Sequence, residues 1–227
     1  MNFAHTAIQS IVEFAHVLLH INLYLGDFMQ QYGALTYGLL FLIIFCETGL
    51  IITPFLPGDS LLFAAGGLFA STTLNIHLLI IILIFAAFLG DNTNYLLGRY
   101  AGRAFIQKFF SPTHKILKLS HIQKTERFYQ NYGIQAIIIA RFIPIIRTFC
   151  PFVAGLSKMS YGLFAGVSFL AASLWVGLVT YAGYAFGDTL WVKAHFSWVI
   201  LMIIFLSLSP IIVKYLRSKI QRQKNAL

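Results

Sequence analysis

The chain has 227 residues, of which 59% are hydrophobic and 10% charged, where a soluble globular chain carries about 25% charged residues. Its mean hydropathy is +0.79. So few charges cannot cover a water-facing surface, which excludes an ordinary cytosolic enzyme and a disordered tail and leaves an integral membrane protein. All 16 Lys and Arg lie from Arg99 onward, while residues 1–98 hold only acids: Glu13, Asp27, Glu47, Asp59 and Asp91. The net charge of +9 therefore sits in two short stretches beside apolar segments, the pattern of a cytoplasmic membrane face. No RNA- or DNA-binding motif accompanies it, so no nucleic-acid partner is expected. Cys46 and Cys150 lie inside apolar stretches and imply neither a disulfide framework nor a zinc site. The N-terminus has no basic region or small-residue cleavage site, so no removable signal peptide is expected.

Residues 7–25 are apolar but interrupted by Glu13, His16 and His20, and read either as a first span or as an interfacial helix. His16 and His20 share a helical face, but no third ligand accompanies them and no metal is expected. Residues 33–70 form a long apolar run broken by Thr53–Asp59, where Pro54, Pro57 and Gly58 stop a continuous helix. Residues 76–98 have the length of a spanning helix. Residues 103–130 are polar, with Lys108, Lys115, Lys118, Lys124 and Arg127 interleaved with Phe105, Phe109 and Phe110, and read as an amphipathic cytoplasmic loop facing anionic lipid heads. Residues 134–156 are apolar and broken again, by Arg141, Pro144, Arg147 and Pro151. Spans are expected at 161–186 and 196–213, before a basic tail from Lys214 to Lys224. Tyr24, Tyr32, Trp175, Trp191 and Trp198 are expected at the membrane interfaces.

Positive-inside reasoning places the 99–127 stretch and the tail in the cytoplasm. Two spans lie between them, so 134–156 must enter and leave on one side as a re-entrant hairpin, and 33–70 must do the same from outside. A weak repeat agrees. Pro54 and Ala65-Gly66 recur as Pro144 and Ala154-Gly155, and Gly98 and Gly102 recur as Gly183 and Gly187. The expected fold is all-α: a polytopic membrane protein with inverted repeats and two re-entrant helical hairpins. Irregular backbone at membrane depth must be enclosed by protein or line a cavity, so the two broken segments should meet.

Glu47, Asp59, Arg141 and Arg147 sit in or beside those segments, where a lone charge costs roughly 2.5–3.5 kcal/mol on insertion scales. One reading is a pair of structural ion pairs holding the hairpins together. The other is a polar cavity in which Arg141 and Arg147 bind an anionic group such as phosphate, while Glu47 and Asp59 take up and release protons. Asp91, in span 76–98, is an additional polar candidate. Asn92, Asn94 and Tyr95 read as polar packing between helices. A membrane phosphatase would need a nucleophile or histidine beside the arginines, and neither hairpin contains a histidine, so no enzymatic role and no cofactor are expected.

The stretches ETGLIITPFLPGDSLLFAAG (Glu47 to Gly66), GDNTNYLLGRYAG (Gly90 to Gly102) and ARFIPIIRTFCPFVAGLSKMSY (Ala140 to Tyr161) resemble the signatures of the DedA family, also called SNARE-associated or VTT-domain proteins. The resemblance covers roughly residues 30–190. It leaves 1–30 as an N-terminal helix and linker and 191–227 as the last span and basic tail. It implies an inverted-repeat transporter fold in the bacterial inner membrane, with a cytoplasmic C-terminus. It further implies a role in recycling undecaprenyl phosphate that depends on the proton motive force, with the essential acidic pair on Glu47 and Asp59 and the arginine pair on Arg141 and Arg147. The expected partners are the phospholipid bilayer, a lipid phosphate substrate and protons, and the sequence leaves room for a homo-oligomer. Two alternatives stay open: a proton-coupled antiporter of a small cation, and a non-transporting membrane organiser.

Overall fold

A computed structural model describes residues 21–50, 58–102, 144–187, 189–199, 201–203 and 205. Every regular element among them is a helix. α1 is Ile21–Tyr32, α2 Leu35–Gly49, α3 Gly58–Ala70, α4 Ile76–Leu96, α5 Pro144–Leu156, α6 Tyr161–Phe186 and α7 Leu190–Ala194; α4 runs on into a π-helical turn, Leu97–Ala101. Most of the N-terminal stretch 7–25, the polar 103–130 loop, Arg141, Pro54, Pro57 and the basic tail lie outside the described residues, as does most of 196–213.

Local chemistry sets the helix ends. α1 stops at Gly33, whose φ of 50° suits the left-handed residue that commonly closes a helix. α2 stops at Leu50, which is extended at φ −102°, ψ 120°, so the first broken segment parts after Gly49. α4 starts at Asn75, whose side chain accepts from His77 N at 2.9 Å and Leu78 N at 3.2 Å. This is the side-chain N-cap that satisfies a helix's first free amides. Pro144 is the first residue of α5, where its missing N–H costs nothing. The helix then runs through Pro151 rather than stopping there.

α4 and α6 form the centre. α2 lies against α4, α3 against α6, and α5 against the C-terminal end of α4 and the π-turn. The buried stripe of α2 is Thr36, Leu40, Ile44, Glu47 and Thr48. Its spacing of three and four is one helical face, so Glu47 is carried inside by the stripe that buries Leu40 and Ile44. α3 is buried on all sides. Two crossings bring backbones together. A Cβ at Gly66 would lie 2.8 Å from Tyr184 N, and one at Gly155 would lie 2.9 Å from Arg99 N, so small residues set these close approaches. Tyr95 stacks on Phe164 at 4.4 Å between centroids and donates to Met159 O, tying α4 to the start of α6.

The outer faces are apolar. Leu78, Ile81, Phe85 and Leu89 line one exposed stripe of α4, and Leu170, Leu174 and Leu178 one of α6. Exposed apolar area of this extent marks an interaction surface, here with lipid. The segments Ile76–Ala101 and Tyr161–Phe186, each 26 residues and each with an 18-residue stretch of mean hydropathy 2.0, are long and apolar enough to cross a membrane.

Candidate functional site

Three of the four predicted charges meet. Arg147, from the first turn of α5, donates through Nη2 to Glu47 Oε1 at 2.5 Å and through Nη1 to Asp59 Oδ1 at 3.0 Å. The guanidinium thus divides its fork between two helices, and the two carboxylates lie at the two ends of the break between α2 and α3. Glu47 stands at the C-terminal end of α2 and Asp59 in the first turn of α3. A carboxylate in a first turn gains from the positive end of the helix dipole. Glu47 reaches the same end: its carboxylate lies directly against Gly58, the first residue of α3.

Gly58, predicted as a helix breaker, therefore also makes room. A Cβ there would lie 2.6 Å from Glu47 Cδ, inside any van der Waals contact. Gly58→Ala should push the Glu47 carboxylate off Arg147 and destabilise the protein by about 1–3 kcal/mol, the usual cost of overpacking. A lowered melting temperature in detergent checks this; an unchanged one contradicts the packing.

The members differ in how far protein encloses them. The side chains of Glu47 and Arg147 are 2% and 4% exposed, and that of Asp59 is 19% exposed. Of the three, Asp59 is the least enclosed.

Trp175 completes the cluster, inside the protein rather than at a membrane interface. Trp175 was expected in an interfacial belt with Tyr24, Tyr32, Trp191 and Trp198. Those four are exposed, but Trp175 is 3% exposed. Its Nε1–H donates to Asp59 Oδ1 at 2.7 Å, and the Arg147 guanidinium carbon lies 4.2 Å from the centre of its ring. The indole thus holds the base by cation–π attraction and one of the acids by a hydrogen bond. A signal for this exists in the sequence. Ser168, Ala171, Ala172 and Trp175 recur at helical spacing on one face of α6, and all are buried. That face is interior, and Trp175 lies on it.

Asp91 is 1% exposed and accepts from Ser168 Oγ at 2.5 Å, so it faces α6 from the middle of the core. Among the described residues no group of three or more His, Cys, Asp or Glu is placed to hold a metal.

Comparison with known proteins adds the family. Residues 56–185 match the VTT domain. Protein DedA of Escherichia coli K12 is 47% identical over 205 residues, covering 89% of this chain and 92% of that protein. An uncharacterized membrane protein of Mycobacterium leprae is 42% identical over 171 residues, 75% of each chain. Inner membrane protein YqjA of E. coli K12 is 36% identical over 156 residues, 67% of this chain and 68% of that one. No solved structure gives a significant match. With more than half of its length matching the domain and its two longest helices apolar enough to cross a bilayer, the chain is a helical membrane protein belonging to the VTT-domain, or DedA, family.

Proposed function

We propose that the protein is a proton-coupled carrier of a lipid phosphate in the bacterial inner membrane, with undecaprenyl phosphate as the substrate that the family resemblance favours. One observation carries this reading: a single buried guanidinium is shared by two carboxylates from opposite sides of a helix break. A phosphate needs the same paired N–H donors that those carboxylates occupy. The anions therefore compete. Protonation of Glu47 and Asp59 removes their charge and frees Arg147 to bind the phosphate head, while the prenyl chain stays in lipid. Loss of the protons restores the carboxylates and expels the phosphate. Asp59, the more exposed acid, is the entry point for protons. Arg141 is the second phosphate ligand in this reading.

The sign follows. Loading is favoured on the acidic side of the membrane and release on the less acidic side, so an outside-acid gradient drives the lipid phosphate inward, the direction of recycling. The same geometry speaks against the cation antiporter, because the charge of Arg147 already occupies the place a cation would take.

The crossings support alternating access by inverted repeats. The repeated Ala-Gly pair of the first broken segment packs on the end of α6, and that of the second packs on the end of α4. Each hairpin arm thus leans on the other half's span, as two-fold related repeats would. In this topology the C-terminus is cytoplasmic. The test is translocation of undecaprenyl phosphate by the purified full chain in proteoliposomes, with and without a pH gradient. Faster movement from the acidic side is expected. Movement that ignores the gradient would remove the coupling.

A further inference from the structure

Asn94 was read from the sequence as polar packing, but its contacts are more particular. It is fully buried, one turn beyond Gly90 on α4. Its Nδ2 donates to Thr48 O at 3.3 Å and to Thr148 O at 2.6 Å. Each of these carbonyls belongs to the residue that directly follows a member of the ion-pair cluster: Thr48 follows Glu47, and Thr148 follows Arg147. One amide thus grips the main chain of α2 and of α5 immediately beside the acid and the base that they carry.

One grip falls where the backbone needs it. α2 ends at Gly49, so Thr48 O is among the last carbonyls, which have no partner within their own helix. The other ties α5 at Thr148, one residue past the Arg147 carbonyl, which Pro151 leaves without its usual intrahelical donor. A main-chain carbonyl at membrane depth requires a donor from protein. Nδ2 has two hydrogens, one for each carbonyl, and no apolar or carboxylate side chain of similar size offers two.

We propose that Asn94 is the positioning residue of the site: a clamp that fixes α2 against α5, sets the Glu47–Arg147 contact, and must release one helix when the two halves move. Its functional meaning rests on the carrier reading above; its structural content does not.

Trp175 is a built-in reporter, because its ring stacks on Arg147 and its N–H binds Asp59. In a Trp191→Phe, Trp198→Phe background, in which two exposed indoles are replaced, its emission and acrylamide quenching report whether the cluster is closed. Asn94→Leu keeps the heavy-atom count and branching and removes both donors. We expect red-shifted emission, quenching raised severalfold, and translocation slowed about a hundredfold, the cost of a misplacement near 1 Å. Asn94→Asp lacks a donor when ionised but has one O–H when protonated. In alkaline buffer it should behave as Asn94→Leu, and in mildly acidic buffer the same sample should partly recover, by more than the Asn94 background changes between the two buffers. A misfolded protein would not recover. Wild-type emission and quenching in Asn94→Leu would overturn the clamp. If the wild-type background itself moves no lipid phosphate, the carrier reading falls, and the Trp175 signal alone still decides Asn94.

Discussion

Arg147→Lys is expected to insert at wild-type abundance and to translocate lipid phosphate between about tenfold and a hundredfold more slowly. The charge is kept, so only geometry is lost. An ammonium is a compact point charge without the planar fork that reaches Glu47 on one nitrogen and Asp59 on another, and without the flat face that lies on Trp175. Losing one charge-assisted hydrogen bond costs about 1.5–3 kcal/mol, which gives that range when it is lost from the rate-limiting step. Initial rates in proteoliposomes, normalised to inserted protein, measure it. Wild-type rates would mean that positive charge alone suffices and that the fork has no part.

Neutralising the whole cluster separates a working site from a structural brace. Arg147→Met alone takes this guanidinium's charge away from two carboxylates, one almost wholly buried. Breaking a fully buried pair costs about 3–5 kcal/mol. The looser enclosure of Asp59 relieves some of that, so a loss at the lower end is expected. The triple variant Glu47→Met, Asp59→Asn, Arg147→Met strands no charge, and Asp59→Asn keeps an acceptor for Trp175 Nε1. Replacing a buried ion group by well-packed apolar side chains of similar size is often neutral or stabilising, by about 1–4 kcal/mol. The triple variant should therefore melt near or above the wild-type temperature in detergent, above Arg147→Met, and should carry no lipid phosphate. A triple variant that melts normally and also transports would reduce the charges to a brace.

Much of this site was legible in the linear chain because a charge in an apolar run is conspicuous. Glu47, Asp59 and Arg147 announce themselves that way, and the proline-rich break between α2 and α3 shows where irregular backbone must be enclosed. What pairs with what was not legible. Trp175 has an apolar body and a polar tip, which suits a membrane interface as well as an ion cluster. Only the side of α6 it occupies decides, and that depends on the small residues Ala171 and Ala172 letting α6 turn that face inward. Asn94 was equally silent, since its partners are main-chain carbonyls, which carry no residue type. Gly58 was visible as a breaker but not as space for a carboxylate 11 positions earlier in the sequence. Pro151 misled in the opposite way, because a helix can pass through a proline when neighbouring structure supplies the missing contacts. α1 runs through residues that the sequence divides between an N-terminal helix and a linker. Asp27, Gln30 and Gln31 dilute its apolar pattern, while Leu25 and Met29 are the buried ones among its described side chains.

The most direct test of the account is undecaprenyl phosphate translocation by the wild-type chain in proteoliposomes under an imposed pH gradient, with Arg147→Lys measured beside it. Faster movement from the acidic to the less acidic side, abolished by collapsing the gradient and slowed in the variant, is the predicted result. Correctly inserted wild-type protein that moves no lipid phosphate under either condition would contradict the account.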